Sequence, residues 1–158
     1  MRIEYLADNT AFIEKVAGWI YLEFFEGIRH GVPYPQVLNS IKICNKTDFP
    51  IRLVALEGDT CIGTVSLVEN DLKYRDYTPW LAALYVDESF RGNKTGRELV
   101  ERTKAIAREL GYNELFLRTE HAGQYYIRLG WQYVETCIDE FNLQTEVYKW
   151  NLAEGSNS

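Results

Sequence analysis

No run of eighteen apolar residues occurs anywhere in the sequence, so nothing in it could cross a bilayer as a helix, and no membrane partner is expected. Cysteine is scarce: Cys44, Cys61 and Cys137 are odd in number and widely separated, without the paired spacing of a metal site. They read as reduced, buried thiols, and no metal is expected. Met1-Arg2-Ile3-Glu4-Tyr5 carries an early glutamate and lacks the apolar core of a secretory leader, so the expected compartment is the cytoplasm. Basic residues are the minority, 17 against 23 acidic, giving a net charge of −6. That balance speaks against nucleic acid as a partner, which needs a basic footprint. The Gly-Lys-Ser/Thr of a Walker A loop and the G-x-G-x-x-G of a dinucleotide fold are both missing.

What is present is a chain of 158 residues, 46% hydrophobic and 25% charged, able to bury one core and still dissolve. A single domain over 1–152 is expected, followed by a flexible polar tail over 153–158. Ile3–Leu6 reads as a short strand. Asp8 or Asn9 then offers an N-cap to a helix carrying Phe12, Val16, Trp19, Ile20 and Phe24 at helical spacing. Pro35 suits the first turn of a second helix with Val37, Leu38 and Ile41. Ile51–Leu56 and Cys61–Val68, joined by Glu57-Gly58-Asp59, form a hairpin, and 69–79 is a polar loop. Leu81–Val86 is apolar throughout and reads as a central strand buried on both faces. A helix follows with Leu99, Thr103, Ile106 and Leu110 on one side and Gly111 at its end. Leu115–Thr119 is a strand, His121–Leu129 a short helix capped by Gly130, and Trp131–Val134 and Glu146–Leu152 close the sheet. The order βααβββαβαββ predicts one α/β domain with a mixed sheet.

Between Arg91 and Arg108 six basic residues face only two acidic ones, so a local +4 sits in a chain whose remainder carries −10. It lies where a strand passes through a glycine-containing loop, Arg91–Gly96, into a helix. Such a junction is a general anion site, because amides of the first turn lack partners and the helix dipole adds about half a positive charge. An ordinary βα turn with a solvated basic helix face is the alternative reading.

Leu84-Tyr85-Val86 followed by Arg91-Gly92-Asn93-Lys94-Thr95-Gly96 resembles the acyl-CoA motif of the GCN5-related N-acetyltransferases (GNAT), Arg/Gln-x-x-Gly-x-Gly/Ala. Tyr126-Ile127-Arg128-Leu129-Gly130-Trp131 is similar to a second signature of that family, Tyr-x-x-Leu-Gly-Phe/Trp, and the match is closest from Thr78 to Trp131. The resemblance implies the GNAT fold, a mixed sheet of about six to seven strands flanked by about four helices. It also implies acetyl-CoA as acetyl donor and a primary amine of a small molecule or peptide as acceptor. By the same resemblance, the backbone of Leu84, Tyr85 and Val86 would pair with the pantetheine amides as an added strand does. The amides of Gly92, Asn93, Lys94, Thr95 and Gly96 would hold the diphosphate, with the Arg91 and Lys94 side chains beside it. Tyr126 would protonate the departing thiolate, and a backbone N–H near Val86 would serve the thioester oxygen.

Two positions depart from the family's pattern. The fourth loop position, usually glycine, is Lys94. A helical backbone there would tolerate lysine and add charge near the diphosphate, whereas a positive φ would make lysine costly. Some members carry a glutamate where Trp80 stands, so no base is assigned, and Trp80 is expected to form an apolar wall for the acceptor. The loops 69–79 and 135–146 carry Glu69, Asp71, Asp76, Glu135, Asp139 and Glu140, which favours a cationic acceptor. A catalytically idle acyl-CoA sensor or scaffold is the alternative function. Either a monomer or a homodimer fits the sequence.

Overall fold

The computed structural model describes residues 1–155. The strands are β1 (Arg2–Tyr5), β2 (Ile51–Glu57), β3 (Thr60–Val68), β4 (Trp80–Val86), β5 (Glu114–Thr119), β6 (Gln132–Ile138) and β7 (Gln144–Asn151). The α-helices are α1 (Ile13–Ile20), α2 (Tyr34–Ile41), α3 (Thr95–Glu109), α4 (Gly123–Arg128) and the single turn α5 (Leu152–Gly155). They give a mixed seven-stranded sheet in the order β1-β2-β3-β4-β5-β7-β6, the α/β class and element order expected. β1, β2 and β3 pair antiparallel, β4 meets β5 in parallel at Trp80↔Phe116, and β5, β7 and β6 pair antiparallel. No helix among the described residues is long and apolar enough to cross a membrane.

The described residues divide into two compact units, Met1–Leu67 with Ala83–Thr103, and Val68–Ala82 with the chain from Lys104 onward. In the first, Val16, Ala17 and Ile20 of α1 and Val37 and Ile41 of α2 pack with Leu6, Val54 and Leu56. Each such buried Val, Leu or Ile side chain contributes about 1.5–3 kcal/mol, so the apolar periodicity of the helices decides where they lie. Buried Arg52 ties α2 down, donating through Nη2 to the Ser40 carbonyl and through Nη1 to Ser66 Oγ. The helix over 13–25 starts without the expected cap. Asn9 spends its amide on Glu4 and the Tyr5 carbonyl, Asp8 pairs with Lys46, and two 3₁₀ turns precede Ile13. The same helix ends in a π turn over Tyr21–Phe25, closed by Glu26 N–H donating to the Tyr21 carbonyl at 2.8 Å. Pro35 stands in the first turn of α2 as expected.

In the second unit, Leu72, Trp80, Phe116 and Val147 form a compact cluster. Leu110, placed by periodicity on the buried side of α3, lies past the helix end and is 39% exposed, because the chain turns at Gly111. Tyr112 N–H donates to the Ala107 carbonyl there and closes the helix. Cys61 is buried, but Cys44 and Cys137 are only half-buried, and all three are free thiols. The fully buried Leu152, last residue of the expected domain, starts α5, which runs into the expected tail as far as Gly155, and 156–158 lie outside the described residues.

Candidate active site

β4 changes character halfway along. Trp80, Leu81 and Ala82 are buried, whereas Ala83 to Val86 are half-buried, so the expectation of burial on both faces fails for the second half. The cause is Ala83, whose φ of +55° no regular strand contains. A left-handed alanine costs about 1–2 kcal/mol, and strain of that size persists where the surrounding structure enforces it, often beside functional sites. Beyond the break, Tyr85 stacks near Trp19 at 5.3 Å between ring centroids, and the Arg91 guanidinium lies 5.3 Å over the Tyr85 ring. Arg91 Nε donates to the Val86 carbonyl at 2.8 Å, which fastens the loop to the end of the strand.

The loop itself has Gly92 at φ +84° and Lys94 at φ +66°. The amides of Gly92, Asn93 and Lys94 hydrogen-bond to no described residue. Thr95 and Gly96 open α3, where the helix supplies its own amides with no acceptor. Five consecutive N–H groups, 92–96, are therefore grouped around two left-handed residues, a concave arrangement suited to phosphate oxygens. Lys94 takes the positive-φ alternative, not the helical one, and keeps the backbone that glycine usually supplies. Arg91, Lys94 and Arg97 are exposed here. The rest of the basic segment is partly committed elsewhere. Lys104 is buried with its Nζ 3.3 Å from the Trp150 ring centroid, and Arg108 Nε donates to the Leu152 carbonyl.

In the second unit, α4 is held at its start by Thr119 Oγ1, which accepts from the amides of His121 and Ala122 at 3.3 and 2.9 Å. His121 is exposed ahead of the helix. Trp131 N–H donates to the Tyr126 carbonyl at 3.0 Å and Gly130 takes φ +99°, the helix stop that the spacing predicted. Tyr126 is flanked by Trp131 and Tyr148 at ring distances of 6.0 and 6.5 Å, and its hydroxyl bonds to no described residue. Burial, with a smaller contribution from Tyr125, pushes its phenol up to about 12, so it stays protonated at neutral pH.

One expectation for the acceptor region needs correction. Trp80 is 0% exposed, ringed by Tyr77 and Phe116, with its Nε1 donating to the Tyr77 carbonyl at 2.6 Å. A fully covered indole is a packing residue and presents no wall to a substrate. The six acidic residues of the two loops divide in half: Glu69, Asp76 and Glu140 are exposed, whereas Glu135, Asp71 and Asp139 are engaged by arginines. Glu135 lies within β6 and receives Arg75 Nε and Nη2, both at 2.8 Å, and the Tyr77 hydroxyl at 2.5 Å. Those bonds hold its carboxyl down at about 2. Asp139 pairs with Arg118 at 3.0 Å, and Asp71 stands 3.9 Å from the same guanidinium. No sequence period announced this strap, because its partners are 60 residues apart. In the first unit, the π turn and the segment after it border a shallow groove of about 320 Å³ that includes Tyr21, Phe25, Glu26 and His30.

A family-wide profile, the acetyltransferase (GNAT) family, matches residues 13–131. Among solved structures, an aminoglycoside 6′-N-acetyltransferase complexed with coenzyme A aligns over 96% of this chain and 97% of its own, with a TM-score of 0.74 and 16% identity. The aminoglycoside 6′-N-acetyltransferase from Enterococcus faecium covers the same shares at a TM-score of 0.72 and 16% identity. A Salmonella typhimurium protein solved with acetyl-CoA as its cofactor covers 96% of this chain and 93% of its own, at 0.69 and 17%. No curated protein matches the sequence.

Proposed function

The chain belongs to the acetyltransferase (GNAT) family, and from that premise we propose that it transfers an acetyl group from acetyl-CoA to a primary amine of a small molecule or peptide. The observation that carries the reading is the run of amides at Gly92, Asn93 and Lys94 that bond to no described residue, leading into the first turn of α3. Those donors, with Arg91 and Lys94 beside them, fit the diphosphate of coenzyme A. Leu84, Tyr85 and Val86, half-buried past the Ala83 break, are the stretch of backbone assigned to the pantetheine amides. Support for acetyl-CoA also comes from the relatives solved with coenzyme A or acetyl-CoA.

In the proposed reaction the neutral amine attacks the thioester carbonyl, the C–S bond breaks, and the amide product loses its extra proton to solvent or a base. Coenzyme A departs as a thiolate, and the Tyr126 hydroxyl supplies its proton. The proposed setting is the cytoplasm, as a monomer or homodimer.

The test is release of free thiol from acetyl-CoA over a panel containing an aminoglycoside, a polyamine and a peptide with a free N-terminus. Turnover with one or more amines is the expected result. Thermal stabilisation by acetyl-CoA with no thiol release from any amine would identify an idle acyl-CoA-binding module instead.

A further inference from the structure

Gly123, the first residue of α4, is buried against β7 in a notch that only a hydrogen leaves open. A Cβ built there would stand 2.2 Å from Glu146 Oε1 and 2.4 Å from the Tyr148 hydroxyl, far inside contact distance. Those two atoms are bonded to each other, the Tyr148 hydroxyl donating to Glu146 at 3.1 Å. Tyr148 is 1% exposed, so its hydroxyl has little freedom to move aside. The same strand register sets Thr119 of β5 opposite Glu146, and Thr119 caps the turn into α4. Tyr148 also lies beside the ring of Tyr126, one turn further along the helix. The first turn of α4 thus rests on a hydrogen-bonded pair, and three residues later the helix carries Tyr126.

We propose that the Glu146–Tyr148 pair, seated against Gly123, is the positioning device that sets α4 and thereby the Tyr126 hydroxyl for proton transfer. This rests on the reading of Tyr126 as the acid. Neither Glu146 nor Tyr148 touches the reacting atoms in this account; both act through the helix. Burial, and after it the hydrogen bond to Glu146, push the Tyr148 phenol up, which keeps that hydroxyl a donor at neutral pH.

A double-mutant cycle in kcat, run on the full chain with the fastest amine of the panel, separates this role from simple packing. Tyr148→Phe keeps the ring and deletes the hydroxyl, and it is expected to lower kcat about tenfold with the acetyl-CoA KM within about twofold. In a Tyr126→Phe background the same change should cost less than about twofold, because no positioned proton remains to be lost. Gly123→Ala should lower kcat more, by about 10²-fold, through displacement of the helix. Should that variant fail to fold, the Tyr148 cycle decides alone. Equal losses from Tyr148→Phe in both backgrounds, or no loss at all while Tyr126→Phe is impaired, would overturn the positioning role and leave the Tyr126 reading intact. Wild-type kcat in Tyr126→Phe itself would overturn both.

Discussion

Lys94 holds a left-handed backbone at φ +66°, a conformation that glycine adopts at no steric cost and lysine does not. Two effects of opposite sign are therefore expected from Lys94→Gly. Relief of strain of about 1–2 kcal/mol, less the greater entropy of an unfolded glycine, leaves a net gain of about 0.5–1 kcal/mol. At this chain length that is a rise of about 1–4 °C in Tm. Loss of an exposed positive charge beside the proposed diphosphate should weaken acetyl-CoA binding about two- to fivefold, and the difference should shrink with salt. Calorimetry and titration read the two effects separately, and a variant that is both less stable and binds more tightly would refute the argument. Tyr126→Phe is the complementary test of chemistry. With the phenol held well above the ordinary thiol value of about 8.5, full proton transfer to the thiolate is uphill. The loss in kcat is therefore expected at the low end of the general-acid range, about 10²-fold, with acetyl-CoA KM little changed. Both positions stand out in the sequence through the resemblance to the family's motifs, although the sequence left the Lys94 backbone open between a helical and a positive φ. The positive φ of Ala83 was not, since an alanine in an apolar run carries no sign of a backbone break.

Elements announced by a period were read well, and those made by distant pairings were not. The apolar spacing of α1 and α2, the alternation in β3 and the glycines after α3 and α4 are local signals, so each could be placed from a window of residues. The 69–79 segment looked like a free polar loop, yet Leu72 is buried and Arg75, Tyr77 and Glu135 bind it to β6. The pH dependence of that strap follows from its sign. The folded Glu135 carboxyl lies near 2, below its ordinary value of 4.5, so its contribution is present above about pH 4.5 and is lost as pH falls toward 2. Arg75 and Glu135 keep 30% and 25% of their side-chain surface, so solvent screening limits the contribution to about 1 kcal/mol. Glu135→Gln should lower stability by that amount at pH 7, with the two unfolding curves converging by about pH 2. A constant difference from pH 7 to pH 2 would show that the loss is packing and not charge.

At the scale of the molecule, the α/β class, the strand count and the family could all be read from the sequence, because two signatures stand in the right order with a helix and a strand between them. The acceptor could not, since it depends on surfaces whose side chains come from segments far apart in the chain. The donor, however, makes a prediction for the whole fold. A ligand that binds only the native state stabilises it by RT ln(1 + [L]/Kd), about 2.7 kcal/mol at a hundredfold excess. For a chain of this length that corresponds to a rise of about 5–11 °C in Tm with acetyl-CoA. Gly96→Glu places a carboxylate in the first turn of α3, among the amides assigned to the diphosphate. The apo fold should tolerate the change, because a Cβ at Gly96 meets only Val86 Cγ2, at 3.6 Å, an ordinary contact. The variant should therefore unfold close to the wild-type apo Tm and show little or no shift with acetyl-CoA, since the added charge opposes the ligand's own. A Gly96→Glu protein stabilised by acetyl-CoA as strongly as the wild type would place the cofactor elsewhere, and absence of any shift in the wild type at millimolar acetyl-CoA would remove the donor assignment.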